Sequence, residues 1–575
     1  MPGVGDVRRW SPGGLSAVAD LLVTRCATLV GLQDELDATV TPGHWVGKAA
    51  DAAYARRGEI TEGLRRLVAQ TQAVRGAVDE TADAVTAVQQ SLREADELAA
   101  RSHFDIGDDG AVRDTAPEGL LTDAHAAADR ARMFVELQDR VAAVVRTATE
   151  VDADLAGILR SAATNGIDDG TGTTLIGAAF TGMTETANTT DLAPPPGGSP
   201  AANNAYWESL TPAQQQDLLA HHPDLIGNLD GLPATVRSQA NLARLPGELA
   251  AAQVQLAQAQ DAADHRSVLG QIWDGPDGFM TRAHTVQLAQ DKVDDLEKLT
   301  TIAEDPSRQL LTLDTSGQMV KAAIATGNVD TADHVSVSLP GFTTTVRGAM
   351  ENLDGDGDLL RNQVKAQLLL AGRGSETVAT VAWIGYDTPQ VGDLKHGQIS
   401  GAVASSSDAQ AGGNALSSYL NGIDASRMDD PHLTALGHSY GSTTLGYALQ
   451  HGTGVDDAVF FGSPGLGTSD VNNLQVPDGH VYVEEANDDP VADLARFGAD
   501  PNHLDGVTNL STDTGTSPDG LPRAGVSGHT SYTNDGTMSQ YNMAVIAGGM
   551  SERAVRGDNS SIGDAVRSYV WPFSG

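Results

Sequence analysis

Apolar residues in the first part of the chain recur every three, four or seven positions. Leu15, Val18, Leu22, Leu29, Leu32 and Leu36 share one helical face. Thr41-Pro42-Gly43 interrupts the pattern, which resumes over about 46–100 with Ile60, Leu64, Leu67, Val74, Val78, Val85, Val88 and Leu92. A third stretch, about 118–163, carries Leu137, Val141, Val144, Val151, Leu155 and Ile158 in the same rhythm. Such stripes leave water only when helices pack together, so residues 1–165 are predicted to form an antiparallel helical bundle. Residues 166–202 are rich in Gly, Thr and Ala and end in Pro194-Pro195-Pro196-Gly197-Gly198-Ser199-Pro200, a composition that reads as a flexible linker. Residues 203–307 read as a helical segment, packed on or inserted before the domain that follows. Its Gln/Ala/Asp-rich part is expected to be a helical pair broken at Gly275-Pro276-Asp277-Gly278. From about 308 the period changes. Short apolar runs at 309–313, 335–339, 378–384, 433–436, 458–461 and 481–483 alternate with helical stretches. That alternation predicts βαβ units and an α/β domain with a mostly parallel sheet over 308–575.

Composition narrows the function. Against 36 basic residues stand 76 acidic ones, a net charge of −40. A field of that sign repels phosphate backbones and anionic lipid surfaces, so no nucleic-acid partner is expected. Cys26 is the only cysteine, which excludes an intrachain disulfide and a Cys-based metal site. The first ten residues lack an apolar h-region, and no uninterrupted apolar run approaches 18 residues. No signal peptide and no integral membrane segment are expected. The expected location is cytoplasmic, or outside the cell by a signal-peptide-independent route. Asp354-Gly355-Asp356-Gly357-Asp358 has the acidic spacing of a calcium loop, but Leu359 and Lys365 stand where an EF-hand needs Gly and Glu, so it reads as an acidic helix connection.

The candidate chemistry lies in Gly437-His438-Ser439-Tyr440-Gly441, a G-x-S-x-G between a short apolar run, 433–436, and a plausible helix from Ser442. A strand turning sharply into a helix forces strained angles on the central residue, and small neighbours permit the close approach. Ser439 is thereby predicted as a nucleophile at the carboxyl edge of the sheet. In such an elbow the partners follow in the order serine, acid, histidine. Asp489, in the turn after the run 481–483 and followed by Pro490, is the candidate acid, with Asp488 beside it as the alternative. His529, on a Gly-flanked loop beyond the run 507–510, is the candidate base, and His503, His451 and His480 read as surface residues. An oxyanion needs two backbone N–H donors. Tyr440, next after the nucleophile, is one candidate. Phe342, in the loop Pro340-Gly341-Phe342 after the third strand, is the other. Tyr386 and His438 are candidate pocket residues.

These residues resemble a known family. Leu339-Pro340-Gly341-Phe342, Trp383-Ile384-Gly385-Tyr386-Asp387, Gly437–Ser442, Gly462-Ser463-Pro464-Gly465 and Asp489-Pro490-Val491 together look like the actinobacterial α/β-hydrolase domain of unknown function. Leu229-Asp230-Gly231-Leu232-Pro233-Ala234, with Arg237 and Asn241, resembles the segment that commonly precedes that domain. The resemblance covers about 203–550 and implies an α/β-hydrolase fold and a serine hydrolase mechanism, without naming a substrate. His44-Trp45-Val46-Gly47, between the first two predicted helices, resembles the turn of the WXG-type helical hairpins exported by type VII secretion systems. That family's export signal, a Tyr followed four residues later by an acid, is absent, although Phe104 and Asp108 have its spacing.

The expected activity is therefore hydrolysis of a carboxylic ester, of a small molecule or lipid, by Ser439, Asp489 and His529, with no metal or organic cofactor. A helical protein partner is expected for residues 10–165. The competing expectation is a catalytically inactive interaction protein of hydrolase fold linked to type VII-type secretion.

Overall fold

The computed structural model describes residues 2–38, 46–117, 124–168, 193–264, 268–389, 406–492 and 497–557, together with Ala178 and Thr181. The chain divides into two compact units, residues 1–117, 134–198 and 205–217, and residues 118–133, 199–204 and 218–575.

The first unit is built from a short helix, α1 (Val4–Arg9), and the long helices α2 (Pro12–Ala38), α3 (Lys48–Arg101) and most of α4 (Ala124–Ala163). A short antiparallel hairpin, β1 (Phe104–Ile106) and β2 (Val112–Asp114), follows α3. Helices α5 (Pro200–Ser209) and α6 (Pro212–His221) come after the proline-rich segment. The apolar stripe of α3 is buried at Val68, Val78, Val85, Val88 and Leu92, and that of α4 at Leu137, Val141, Val144 and Ile158. The stripe of α2 departs from expectation. Ala19 and Cys26 are buried, whereas Val18, Leu21, Val23 and Leu32 are exposed, as are Ile60 and Leu67 on α3. The segment Pro12–Leu32 is also long and apolar enough, by length and composition, to cross a membrane. Charged Asp20 and Arg25 interrupt its apolar residues, so the segment contains no long unbroken apolar run. Trp45 lies outside the described residues, as does most of 166–202.

The second unit carries an eight-stranded sheet. In chain order its strands are β3 (Arg308–Asp314), β4 (Lys321–Thr326), β5 (His334–Leu339), β6 (Val378–Ile384), β7 (His432–His438), β8 (Asp457–Phe461), β9 (Val481–Glu484) and β10 (Thr508–Leu510). In space they lie in the order β3-β4-β6-β5-β7-β8-β9-β10. β4 runs antiparallel to both β3 and β6, and every other pairing is parallel. β4 is the strand that the apolar pattern does not announce, because Ala322, Ala323 and Ala325 favour a helix by propensity. Every residue of β6 is buried, as a strand covered on both faces requires. Ala379, Val381 and Trp383 join one core cluster with α11 (Ser406–Ala425) and α12 (Tyr440–Leu449). On the other face, Val378 joins a cluster with α10 (Val346–Leu370) and α13 (Met538–Ala547), and Ala382 and Ile384 join one with α8 (Ala234–Asp264) and α9 (Val268–Ala303).

Three side chains hydrogen-bond the backbone of the edge strand β3. Asn228 Nδ2 donates to the Leu313 carbonyl at 2.8 Å while its Oδ1 accepts the Leu313 N–H at 2.8 Å. Ser238 Oγ accepts the Leu310 N–H, and Asn241 Nδ2 donates to the Leu310 carbonyl. An edge closed by its own side chains is closed to pairing with another chain. The same segment holds Asp230, paired with Arg237 at 3.0 Å, and short α7 (Pro223–Ile226).

Two expectations are corrected. The first helix of the pair, α8, ends at Asp264, and α9 begins at Val268 and runs on through Gly275–Gly278. Pro276 thus sits inside a helix, where a proline ordinarily costs roughly 3 kcal/mol, and that helix packs along α8. The acidic run 354–358 is the middle of α10 and connects nothing. Asp354 and Asp358, one turn apart, both grip Arg308, at 2.9 and 2.6 Å.

Candidate active site

Ser439 is one of the few described residues other than glycine with a positive φ. It sits between β7 and α12 with φ 53° and ψ −130°, a left-handed conformation that a residue with a Cβ adopts only under constraint. The neighbouring glycines show the constraint directly. A Cβ on Gly441 would lie 2.4 Å from the Pro340 carbonyl oxygen, and one on Gly437 would lie 2.8 Å from Ser442 Cα. A Cβ on Gly341 would lie 2.5 Å from Ser439 Cβ. The turn is thus wedged between its own helix and the end of β5. Ser442 Oγ, bonded to the Ser439 carbonyl and to Ser463 Oγ, fastens it from inside.

The loops after β9 and β10 bring an acid and an imidazole to this turn. His529 Nε2 lies 2.8 Å from Ser439 Oγ, and His529 Nδ1 lies 2.9 Å from both carboxylate oxygens of Asp489. An ionised carboxylate only accepts, so Nδ1 carries the proton and Nε2 is left to accept from the serine hydroxyl. Asp489 is fully buried. Burial alone would raise its carboxyl pKa. The bonds from His529, from the Tyr532 hydroxyl at 2.8 Å and from the Val491 N–H at 2.9 Å outweigh it and hold the group below the ordinary carboxylate range. Tyr532, which the sequence pattern did not suggest, also accepts the Ala486 N–H. It therefore ties the acid to the strand end that carries it. Gly462, at φ 55°, is required here: a Cβ would stand 2.9 Å from Asp489 Oδ2 and 3.1 Å from His529 Nδ1.

Asp488 has a different task from its neighbour. Its carboxylate accepts the Gly528 N–H at 2.6 Å and Ser527 Oγ at 2.7 Å, and so anchors the loop that presents His529. His503 is exposed and ends a short 3-10 turn, Pro501–His503, before β10. His480 is not a lone surface residue, since its Nδ1 bonds buried Asp457.

The remaining candidates separate. His438 Nε2 donates to the His529 carbonyl at 2.8 Å, and the two rings stand 4.7 Å apart. Burial, with the His529 charge adding to it, pulls His438 down to about 4, so the imidazole beside His529 is neutral near pH 7. His438 lines a cavity of about 140 Å³ with Leu339, Leu360, Phe461, Tyr532 and Met543. Tyr386 does not line that cavity. Its ring is buried between Trp383 and Tyr440, and its hydroxyl donates to the Pro340 carbonyl at 2.9 Å. The apolar stack pulled it inward, because an aromatic ring gains most by burial when its hydroxyl finds an acceptor. Tyr440 is the first residue of α12, where a helix leaves its amides without an intrahelical acceptor. The Phe342 amide has no partner among the described residues.

The family profile described as "Alpha/beta hydrolase" matches residues 315–499, the stretch that carries β4 to β9, the elbow serine and the acid. An uncharacterized protein of Mycobacterium bovis is 33% identical over 251 residues, which are 42% of this chain and 91% of that protein. The chain belongs to the α/β-hydrolase family. An uncharacterized protein of Mycobacterium tuberculosis is 32% identical over 316 residues, 53% of this chain. Of that longer relative this chain spans just under half, 45%.

Proposed function

We propose that this α/β hydrolase is a serine hydrolase cleaving carboxylic esters. The observation that carries the reading is the unbroken relay from Ser439 Oγ through His529 to Asp489, at 2.8 and 2.9 Å. In this mechanism Ser439 Oγ attacks the ester carbonyl as its proton passes to His529 Nε2. Asp489 holds the imidazolium that results, and neutral His438 beside it adds no opposing charge. The Tyr440 and Phe342 amides receive the oxyanion. Collapse of the tetrahedral intermediate expels the alcohol, protonated by His529, and leaves an acyl-serine. Water, deprotonated by the same imidazole, releases the acid. Nucleophile, base and oxyanion donors all come from the chain, so the cycle calls for no metal or organic cofactor.

The substrate class is a small-molecule or lipid ester. Exposed Val18, Leu21, Val23 and Leu32 on α2 support a helical protein partner for the first unit. A fluorophosphonate probe tests the central claim: the wild type should take the label and turn over p-nitrophenyl esters, and Ser439→Ala should do neither while keeping its fold. A wild type that takes no label would favour a binding protein of hydrolase fold.

A further inference from the structure

The oxyanion loop is fixed by hydroxyl groups that bond its carbonyls. Thr344 Oγ1 donates to the Gly341 carbonyl at 2.9 Å, and Tyr386 donates to the Pro340 carbonyl, the peptide before it. In a trans peptide the C=O and N–H point in opposite directions, and the described chain has no cis peptide. Pinning the Gly341 carbonyl therefore sets the direction of the Phe342 N–H. Gly341 packs so closely on Ser439 that a Cβ would meet the serine Oγ at 2.9 Å, which puts this peptide beside the nucleophile. The turn is one that would relax if released. Thr343, a β-branched residue, sits at φ 61°. It is held there by its N–H bond to the Pro389 carbonyl at 3.0 Å and by Thr388 Oγ1, which donates to the Thr344 carbonyl. Thr344 itself is buried.

We infer that Thr344 is a positioning residue that holds the 341–342 peptide in the donor orientation, with Tyr386 bracing the peptide before it. A flipped peptide would turn a carbonyl oxygen toward the developing oxyanion. Hydroxyls on side chains that never touch substrate thus decide whether one of the two oxyanion donors is in place. The inference rests on the serine hydrolase reading.

The test is steady-state hydrolysis of p-nitrophenyl acetate by the full chain, with fluorophosphonate labelling alongside. Thr344→Val keeps the shape and removes the hydroxyl. Its kcat should fall about a hundredfold, the scale of losing one oxyanion donor. KM and the pH at which kcat/KM is half-maximal should not move, because binding and the His529–Asp489 pair are untouched. Labelling should slow in parallel, and Thr344→Ser should restore most of the rate. Tyr386→Phe, a second variant that does not depend on the fold tolerating Val at 344, should lower kcat about tenfold with KM unchanged. A labelled wild type whose Thr344→Val and Tyr386→Phe variants keep its kcat overturns the inference alone. So does a Thr344→Ser variant as slow as Thr344→Val. A wild type that takes no label overturns the hydrolase reading and this inference with it.

Discussion

At the scale of single residues, two adjacent aspartates illustrate how one turn divides its labour. Asp489 orients the imidazole and Asp488 anchors the loop that carries it. Asp489→Asn should lower kcat by about ten-thousandfold, as expected when an amide in place of the acid favours the wrong tautomer. Asp488→Asn, which leaves the relay intact but loosens its third member, should cost roughly tenfold. Steady-state assays of both variants decide; equal losses would mean that the loop anchor matters as much as the acid. His438 makes a second prediction. Its folded pKa, about 4, lies below its ordinary 6.5, so the unfolded chain binds the extra proton first as pH falls. Wild-type stability should therefore decline between pH 6.5 and about 4, by at most about 3 kcal/mol from this group. His438→Gln, which can still donate to the His529 carbonyl, should flatten that part of the profile in urea titrations at several pH values. Parallel profiles would show that the group is not the cause.

At the scale of elements, the packing of the elbow against the end of β5 has consequences opposite to those of an open helix. Gly441→Ala would place a methyl 2.4 Å from one backbone oxygen and 2.8 Å from another, neither able to rotate away. It should cost at least a hundredfold in kcat together with several degrees of melting temperature. Gly355→Ala, mid-helix in α10 where a Cβ meets nothing within 4 Å, should raise stability by about 0.5–1 kcal/mol and leave turnover unchanged. Melting curves and rates for the two variants check both signs. The elements were legible in the sequence where burial demanded β-branched residues, as in β5, β6 and β9. β4 was not, because alanines fit a strand covered on both faces yet read as helix. The positions of Ser439, Asp489 and His529 could be reasoned from strand order and turn chemistry, since Ser439 and Asp489 follow strand ends in turns marked by Gly or Pro and His529 lies on a Gly-flanked loop. Tyr532, Thr344 and the role of Tyr386 could not. They act by hydroxyls on groups distant in sequence, or on backbone, and no periodicity encodes that.

At the scale of the whole molecule, the sheet and its three site loops lie within residues 308–557, and helices α8 and α9 cover part of one face. A fragment of residues 199–575 contains all of them but lacks 118–133, which also belong to the second unit. Within that unit Arg132 pairs with Asp424 at 2.9 Å and packs beside Gly454. The fragment should therefore turn over p-nitrophenyl acetate with nearly the wild-type kcat but melt at a lower temperature, and restoring 118–133 should recover part of the difference. An inactive, unfolded fragment would make the first unit a requirement for folding. The strand order adds a kinetic point: β6 lies between β4 and β5 although it follows both in the chain. β3 and β4 cannot join the rest of the sheet until residue 384 is available.

The left-handed backbone at Ser439 has a consequence for how such chains change over generations. A non-glycine residue held there costs on the order of 1–3 kcal/mol, charged against a fold whose total margin is small. Under selection for thermal endurance alone, this codon would drift toward Gly, which occupies that conformation readily. A lineage released from the need to turn over substrate would be expected to lose the serine first and keep the glycines around it. The identity of one residue in a turn would then separate working descendants from retired ones whose sheets remain superimposable.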